Sequence, residues 1–323
     1  MAAPNDRLLR RAAESILTHP VGHVPPGRRV VILHDADKVV LATALADGLA
    51  ARQVAVERRV WSPRRQESAA QPGLPEAVER LLDDAAIGLI VLASAAMWRA
   101  GLAQRLTVGP GGPSLRTRCT PLFFDAVIPL PSLIRLYASD VAEDQTYLHD
   151  LAARLPAHAA LRVIAPGGTD LRLVARDWRM HPWEVLTSPV EASAHGLIVA
   201  DASVFLGRVR RPVAVAIEAG RIAAIACDDP RDLMAREYQR HMGAALEQDR
   251  ANWQLAELGF GGNAGARLSG AVMEDEALRG TCHVCFGDNT RYGGRNASAW
   301  HGGTLVVRAP HWSLIESGPT PPA

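Results

Sequence analysis

Three short apolar runs separated by helical stretches constrain the first half of this chain more than any other feature. Arg29–His34 follows a Pro-Pro-Gly turn signal, residues 54–60 alternate in polarity, and residues 87–92 form one continuous apolar run. Between them, residues 39–51 and 76–84 read as helices. Strand, helix, strand, helix, strand is the pattern of a parallel sheet with right-handed crossovers. Leu8, Leu9, Ala12, Ile16 and Leu17 recur at helical spacing and predict an amphipathic helix before the first strand. That strand runs into His-Asp-Ala-Asp-Lys, not into a glycine-rich turn, so no dinucleotide-binding residues are expected. The glycines at 109–112 lie among prolines and read as a surface loop; Trp98, Phe123, Phe124 and Tyr137 read as core.

Near residue 155 the texture changes to short strands with turn signals. Residues 161–165, 171–175, 196–200 and 213–217 read as strands, and Gly220 turns the last of these into a hairpin with 222–225. Residues 232–258 read as a helix. The expected architecture is a Rossmann-like α/β domain over 1–154, with a mostly parallel sheet, followed by an α+β metal-binding domain over 155–323. A chain of 323 residues suits two such cores.

Charge narrows the function classes. Thirty-five basic residues against 34 acidic ones leave a net charge of +1, too little to steer the chain onto nucleic acid or an anionic membrane. No stretch approaches the roughly 20 apolar residues of a membrane span. Four scattered cysteines do not make a disulfide scaffold. The expectation is a cytoplasmic protein acting on a small molecule.

The polar residues that call for a chemical explanation crowd the last third. Glu257 opens a glycine-rich stretch, Glu274-Asp275-Glu276 follows, and His283 sits between Cys282 and Cys285 in Thr-Cys-His-Val-Cys-Phe-Gly. His301 ends the segment that begins at Gly293. Two imidazoles and a carboxylate can hold a divalent ion and leave positions open for water, substrate or oxygen. The Cys-x-x-Cys spacing suggests a zinc knuckle or a redox pair. On an extended strand, however, Cys282 and Cys285 point to opposite faces, and His283 shares its face with Cys285. Two buried reduced thiols are expected there. The acidic triplet reads as a solvated turn, at least at Asp275.

Five stretches together carry a family resemblance: 166–173 (PGGTDLRL), 183–201 (WEVLTSPVEASAHGLIVAD), 256–266 (AELGFGGNAGA), 274–289 (EDEALRGTCHVCFGDN) and 293–301 (GGRNASAWH). Their order and spacing resemble the aminopeptidase T-like metallopeptidases and their relatives, the iron-dependent 2,5-dihydroxypyridine dioxygenases. By position, the resemblance implies Glu184, Glu257, His283 and His301 as metal ligands and Glu184, His195 and Tyr292 as proton-handling residues, with His181 as a further proton carrier. It also implies a homodimer. One ligand does not carry over, because Gly303 stands where the family has aspartate. Asp288, Glu274 or Glu276 could replace it. The peptidase pattern implies hydrolysis of an amide or peptide-like substrate with Zn, Co or Mn. The dioxygenase pattern implies Fe(II) opening a hydroxylated aromatic or pyridine ring. A degenerate protein that only binds a ligand is the third reading.

Overall fold

The computed structural model describes residues 6–25, 27–63, 75–84, 86–97, 108–109, 112–113, 119–124, 128–227 and 231–315. The chain divides into two compact units, Met1–Ser139 and Asp140–Ala323.

In the first unit, four parallel strands lie in the order Ala55–Val60, Arg29–His34, Ile87–Leu92 and Thr120–Phe124. Every residue of Ile87–Leu92 is buried, as expected of a strand covered on both faces. Helices Asp6–Thr18, Val39–Ala51 and Glu76–Leu82 form where the apolar spacing predicts them. At the carboxyl end of the Arg29–His34 strand, Asp35 accepts hydrogen bonds from the Ala36 amide, Ser62 and Ser94. It thereby caps the short turn Ala36–Lys38. Phe123 packs edge-on against Tyr137 with ring centres 5.5 Å apart, a core contact. Val108–Gly109 pairs with Gly112–Pro113 as a short antiparallel ribbon rather than a plain loop, and Trp98 lies outside the described residues.

The second unit holds two antiparallel sheets. One runs Arg221–Cys227, Val213–Glu218, His195–Ala200, Asp170–Val174, Ala160–Ile164 and His311–Leu314. The other runs Gly207–Arg208, Ser203–Val204, His301–Arg308, Thr281–Gly287, Leu255–Gly261, Glu184–Thr187 and Arg179–His181. Both contribute to one apolar cluster: Leu161, Leu171, Ile198 and Val215 from the first sheet, Leu258, Phe260, Val284 and Leu305 from the second. Helix Val141–Arg154 adds Leu148 and Leu151 to that cluster, so the unit begins before the strand-rich texture does.

The long helix expected over 232–258 stops at Gln248. Asp249 is fully extended and its carboxylate accepts from the Ala251 amide, which starts the short turn Arg250–Trp253. Leu255–Gly261 is then a buried strand paired on both sides. Helix periodicity reads through this segment because its apolar residues suit either period, and sheet pairing decides between them. Among the described residues no helix is long and apolar enough to cross a membrane.

Candidate metal centre

Strand alternation sorts the second sheet into a core face and a polar face. Leu258, Phe260, Cys282, Val284 and Phe286 point into the apolar cluster. Their neighbours in the chain therefore point the other way. Glu257 lies directly across from Cys285 and Gly259 from His283, while Glu184 lies across from Gly261 on the next strand. His301 opens the strand beyond, opposite Gly287. Four separate strands thus deliver Glu184, Glu257, His283, Cys285 and His301 to one face.

Glu257 is the hub. Its carboxylate is 5% exposed and accepts from His283 Nε2 at 2.9 Å through Oε1. Its Oε2 makes no hydrogen bond and lies 3.3 Å from His301 Nε2 and 3.9 Å from the Arg291 guanidinium. His283 is wholly buried, and its Nε2 is also 3.6 Å from Glu184 Oε2. His181 Nδ1 stands 3.3 Å from Glu184 Oε1. His301 donates from Nδ1 to the Asp288 carbonyl at 2.7 Å. A carbonyl can only accept, so this bond places a proton on Nδ1 and makes Nε2 the ring nitrogen that faces Glu257.

The tightest group of ligand atoms among the described residues is Glu257, Cys285 and His301, all within 4.8 Å of one another. Cys285 was not foreseen as a ligand, although its shared face with His283 was the available signal. Its sulfur lies 3.2 Å from Thr304 Oγ1, and Thr304 also hydrogen-bonds Glu276.

Electrostatics at this face follow from burial among carboxylates. Burial pushes the Glu184 carboxyl up to about 8 against the pull of His283, with Glu276 and Glu257 adding to the rise. Glu276 is raised for the same leading reason. Burial also disfavours a charged Glu257, but the His283 hydrogen bond and attraction from both histidines overcome it and hold Glu257 well below the usual carboxylate range. For His283 burial opposes the charge, yet Glu184, Glu276 and Glu257 together raise it to about 10. Burial, with Glu257 and Glu276 nearby, keeps the Cys285 thiol well above its ordinary value. Burial likewise keeps the Tyr292 hydroxyl protonated, with Glu257 adding to the effect. An excess of buried carboxylate oxygens, one of them without a hydrogen bond, beside an imidazole nitrogen is the donor set a divalent cation needs.

The surrounding segments hold this arrangement. Glu191 accepts from Asn289 Nδ2 and the Arg295 amide, bracing the loop that carries Arg291 and Tyr292. Tyr292 packs against His301 with ring centres 5.8 Å apart. The short helix Val272–Ala277 covers the polar face, and its acidic triplet is buried, not solvated. Asp275 accepts from the Ser269 and Gly270 amides, and Glu274 from the Arg267 amide. These two carboxylates staple the 267–270 turn by its amides, a use of acidic residues that residue type alone does not reveal. Glu276 of the triplet faces His283 and Glu257. The Asp288 carboxylate accepts from Thr290 and the Ser298 amide, so Asp288 serves the centre through its carbonyl. His195 lies on the other sheet, exposed, accepting from the Ala219 amide, and the structure does not bring it to the cluster.

Gly259 makes room for the imidazole. A Cβ there would stand 2.2 Å from His283 Cε1 and 2.6 Å from Nε2. Gly259→Ala should therefore displace the buried ring and cost about 1–3 kcal/mol of stability, with metal content falling alongside. Urea unfolding paired with elemental analysis checks this; unchanged metal content in the variant would show that the ring position does not matter.

No protein-family model and no curated protein matches this chain. Solved structures share its fold, two of them over nearly the whole chain. A 2,5-dihydroxypyridine dioxygenase from Pseudomonas putida superposes with a TM-score of 0.64 at 18% identity, covering 97% of this chain and 95% of that one. Wild-type AmpT from Thermus thermophilus superposes with a TM-score of 0.61 at 14% identity, covering 96% of this chain and 95% of that one. The fold expected from the five stretches is thus the fold observed, and both neighbours share it over nearly the whole chain.

Proposed function

We propose that the protein is a metal-dependent hydrolase that cleaves an amide bond in a small, peptide-like substrate. The observation that carries this reading is the second carboxylate, Glu184, buried beside the Glu257 cluster and raised to about 8. A bound divalent cation would be held by Glu257 and His301, with His283 and Glu184 adjoining, and would supply Lewis acidity and a water that ionises near neutral pH. Glu184 Oε2 is the proton acceptor: a carboxyl that titrates near neutrality can take a proton from water and return it to a leaving amine. His181, half-exposed and next to Glu184 Oε1, relays that proton to solvent. Tyr292 keeps its hydroxyl proton and offers it as a hydrogen bond to the substrate oxygen. His195 has no part in this scheme.

A second reading has its own support. Glu257, His283 and His301 form a two-histidine, one-carboxylate set, the ligand type of mononuclear Fe(II) oxygenases, and one of the structures that share the fold is a dioxygenase. Metal analysis of protein purified without added metal separates the two. The expected result is zinc or cobalt near one per chain, with amine released from amino-acid amides. Iron, with oxygen uptake on a dihydroxylated aromatic, would overturn the hydrolase reading.

A further inference from the structure

We infer that Cys285 is itself a ligand of the cation at this centre, so that Glu257, Cys285 and His301 hold one ion through a carboxylate, a thiolate and an imidazole. The inference deepens the hydrolase reading and rests on it. Three observations carry it. Cys285 is cross-strand partner to Glu257, and its sulfur, the Glu257 carboxylate and a His301 nitrogen lie within 4.8 Å of one another. Glu257 Oε2 is buried without a hydrogen bond, and His301, with Nδ1 taken by the Asp288 carbonyl, turns Nε2 toward it at 3.3 Å. The backbone also treats the two cysteines differently. Cys282 fills the apolar cluster, whereas Cys285 lies across from a bulge in the His301–Arg308 strand, where Gly303 and Thr304 together oppose it. That bulge turns Thr304 onto the sulfur, and a hydroxyl that orients a ligand atom is a common feature around metal ligands.

On binding, the thiol proton leaves to solvent and the sulfur lone pair bonds the ion. A soft sulfur donor favours zinc and cobalt over magnesium or manganese.

Cobalt(II) added to the metal-free, full-length protein tests this without relying on activity. The expected result is one cobalt per chain with an intense sulfur-to-cobalt charge-transfer band in the near ultraviolet. Cys285→Ser should abolish the band and weaken zinc binding more than about tenfold, while Cys282→Ala should keep the band. Circular dichroism of Cys285→Ser and Cys285→Ala checks that both fold, and the wild-type spectrum decides the matter even if neither does. Cobalt bound at one per chain without the band, or a band that survives Cys285→Ser, overturns the cysteine ligand and leaves the metal centre standing. No cobalt bound at all overturns the metal centre, and the cysteine ligand with it.

Discussion

Glu257→Gln should strip the protein of its metal and of its hydrolytic activity together, the largest effect expected of any single substitution here. The amide nearly matches the carboxylate in shape, so packing on the buried strand is kept while the charge is lost. Glu257 meets both histidines, at 2.9 Å to His283 and 3.3 Å to His301. Its loss should cost more than the roughly 10–100-fold in metal affinity that follows removal of a group merely supporting a ligand. The electrostatic consequence has a definite sign. His283 is held charged by three carboxylates, so removing one lowers its pKa from about 10 and weakens the buried ion pair. Breaking a buried pair from one side costs about 3–5 kcal/mol. The check is metal per chain after dialysis, read beside a urea melt. A folded Glu257→Gln protein that keeps a full complement of metal would falsify the assignment of this centre.

Gly303→Asp, which restores the aspartate of the resembled families, should fail to rebuild a two-metal site and should destabilise the protein. Gly303 has φ +69°, a conformation that costs a residue with a Cβ about 1–3 kcal/mol. A Cβ there would meet Met242 Sδ at 2.6 Å and Cε at 2.9 Å, with Trp300 at 3.0 Å. Met242 belongs to the apolar cluster, so the new carboxylate would enter the core and not the polar face. The bulge explains why. Simple alternation would put residue 303 on the same face as His301, but the pairing shift between Val284 and Phe286 turns Thr304 to the centre instead. The expected result is no gain in metal and a lowered melting temperature, with Gly303→Ala showing a smaller loss. Higher metal content at unchanged stability would mean that position 303 faces the centre after all.

The two substitutions mark how far a linear reading reaches. Glu184, Glu257, His283 and His301 were legible from residue type and resemblance, and the structure brings all four to one sheet face. Cys285 was legible in part, because alternation alone put it on the His283 face, but its nearness to Glu257 required the strand register. His195 lies in a stretch that carries the resemblance, yet strand His195–Ala200 joins the other sheet. The buried roles of Glu274 and Asp275 were hidden because a carboxylate that caps backbone amides looks in sequence like one that faces water.

By itself the sequence determined the alternation of the parallel first unit, the hairpins of the second and the residue types able to hold a cation. Those follow from local periodicity and side-chain chemistry, which each residue carries wherever it is placed. Only the tertiary structure decided that Glu257 lies on a strand and not a helix, that Cys285 faces it, and that position 303 turns inward. Register, bulges and sheet membership come from pairings between residues far apart in the chain, such as Ser203 with Val306 and Leu161 with Leu314, and no local pattern encodes them.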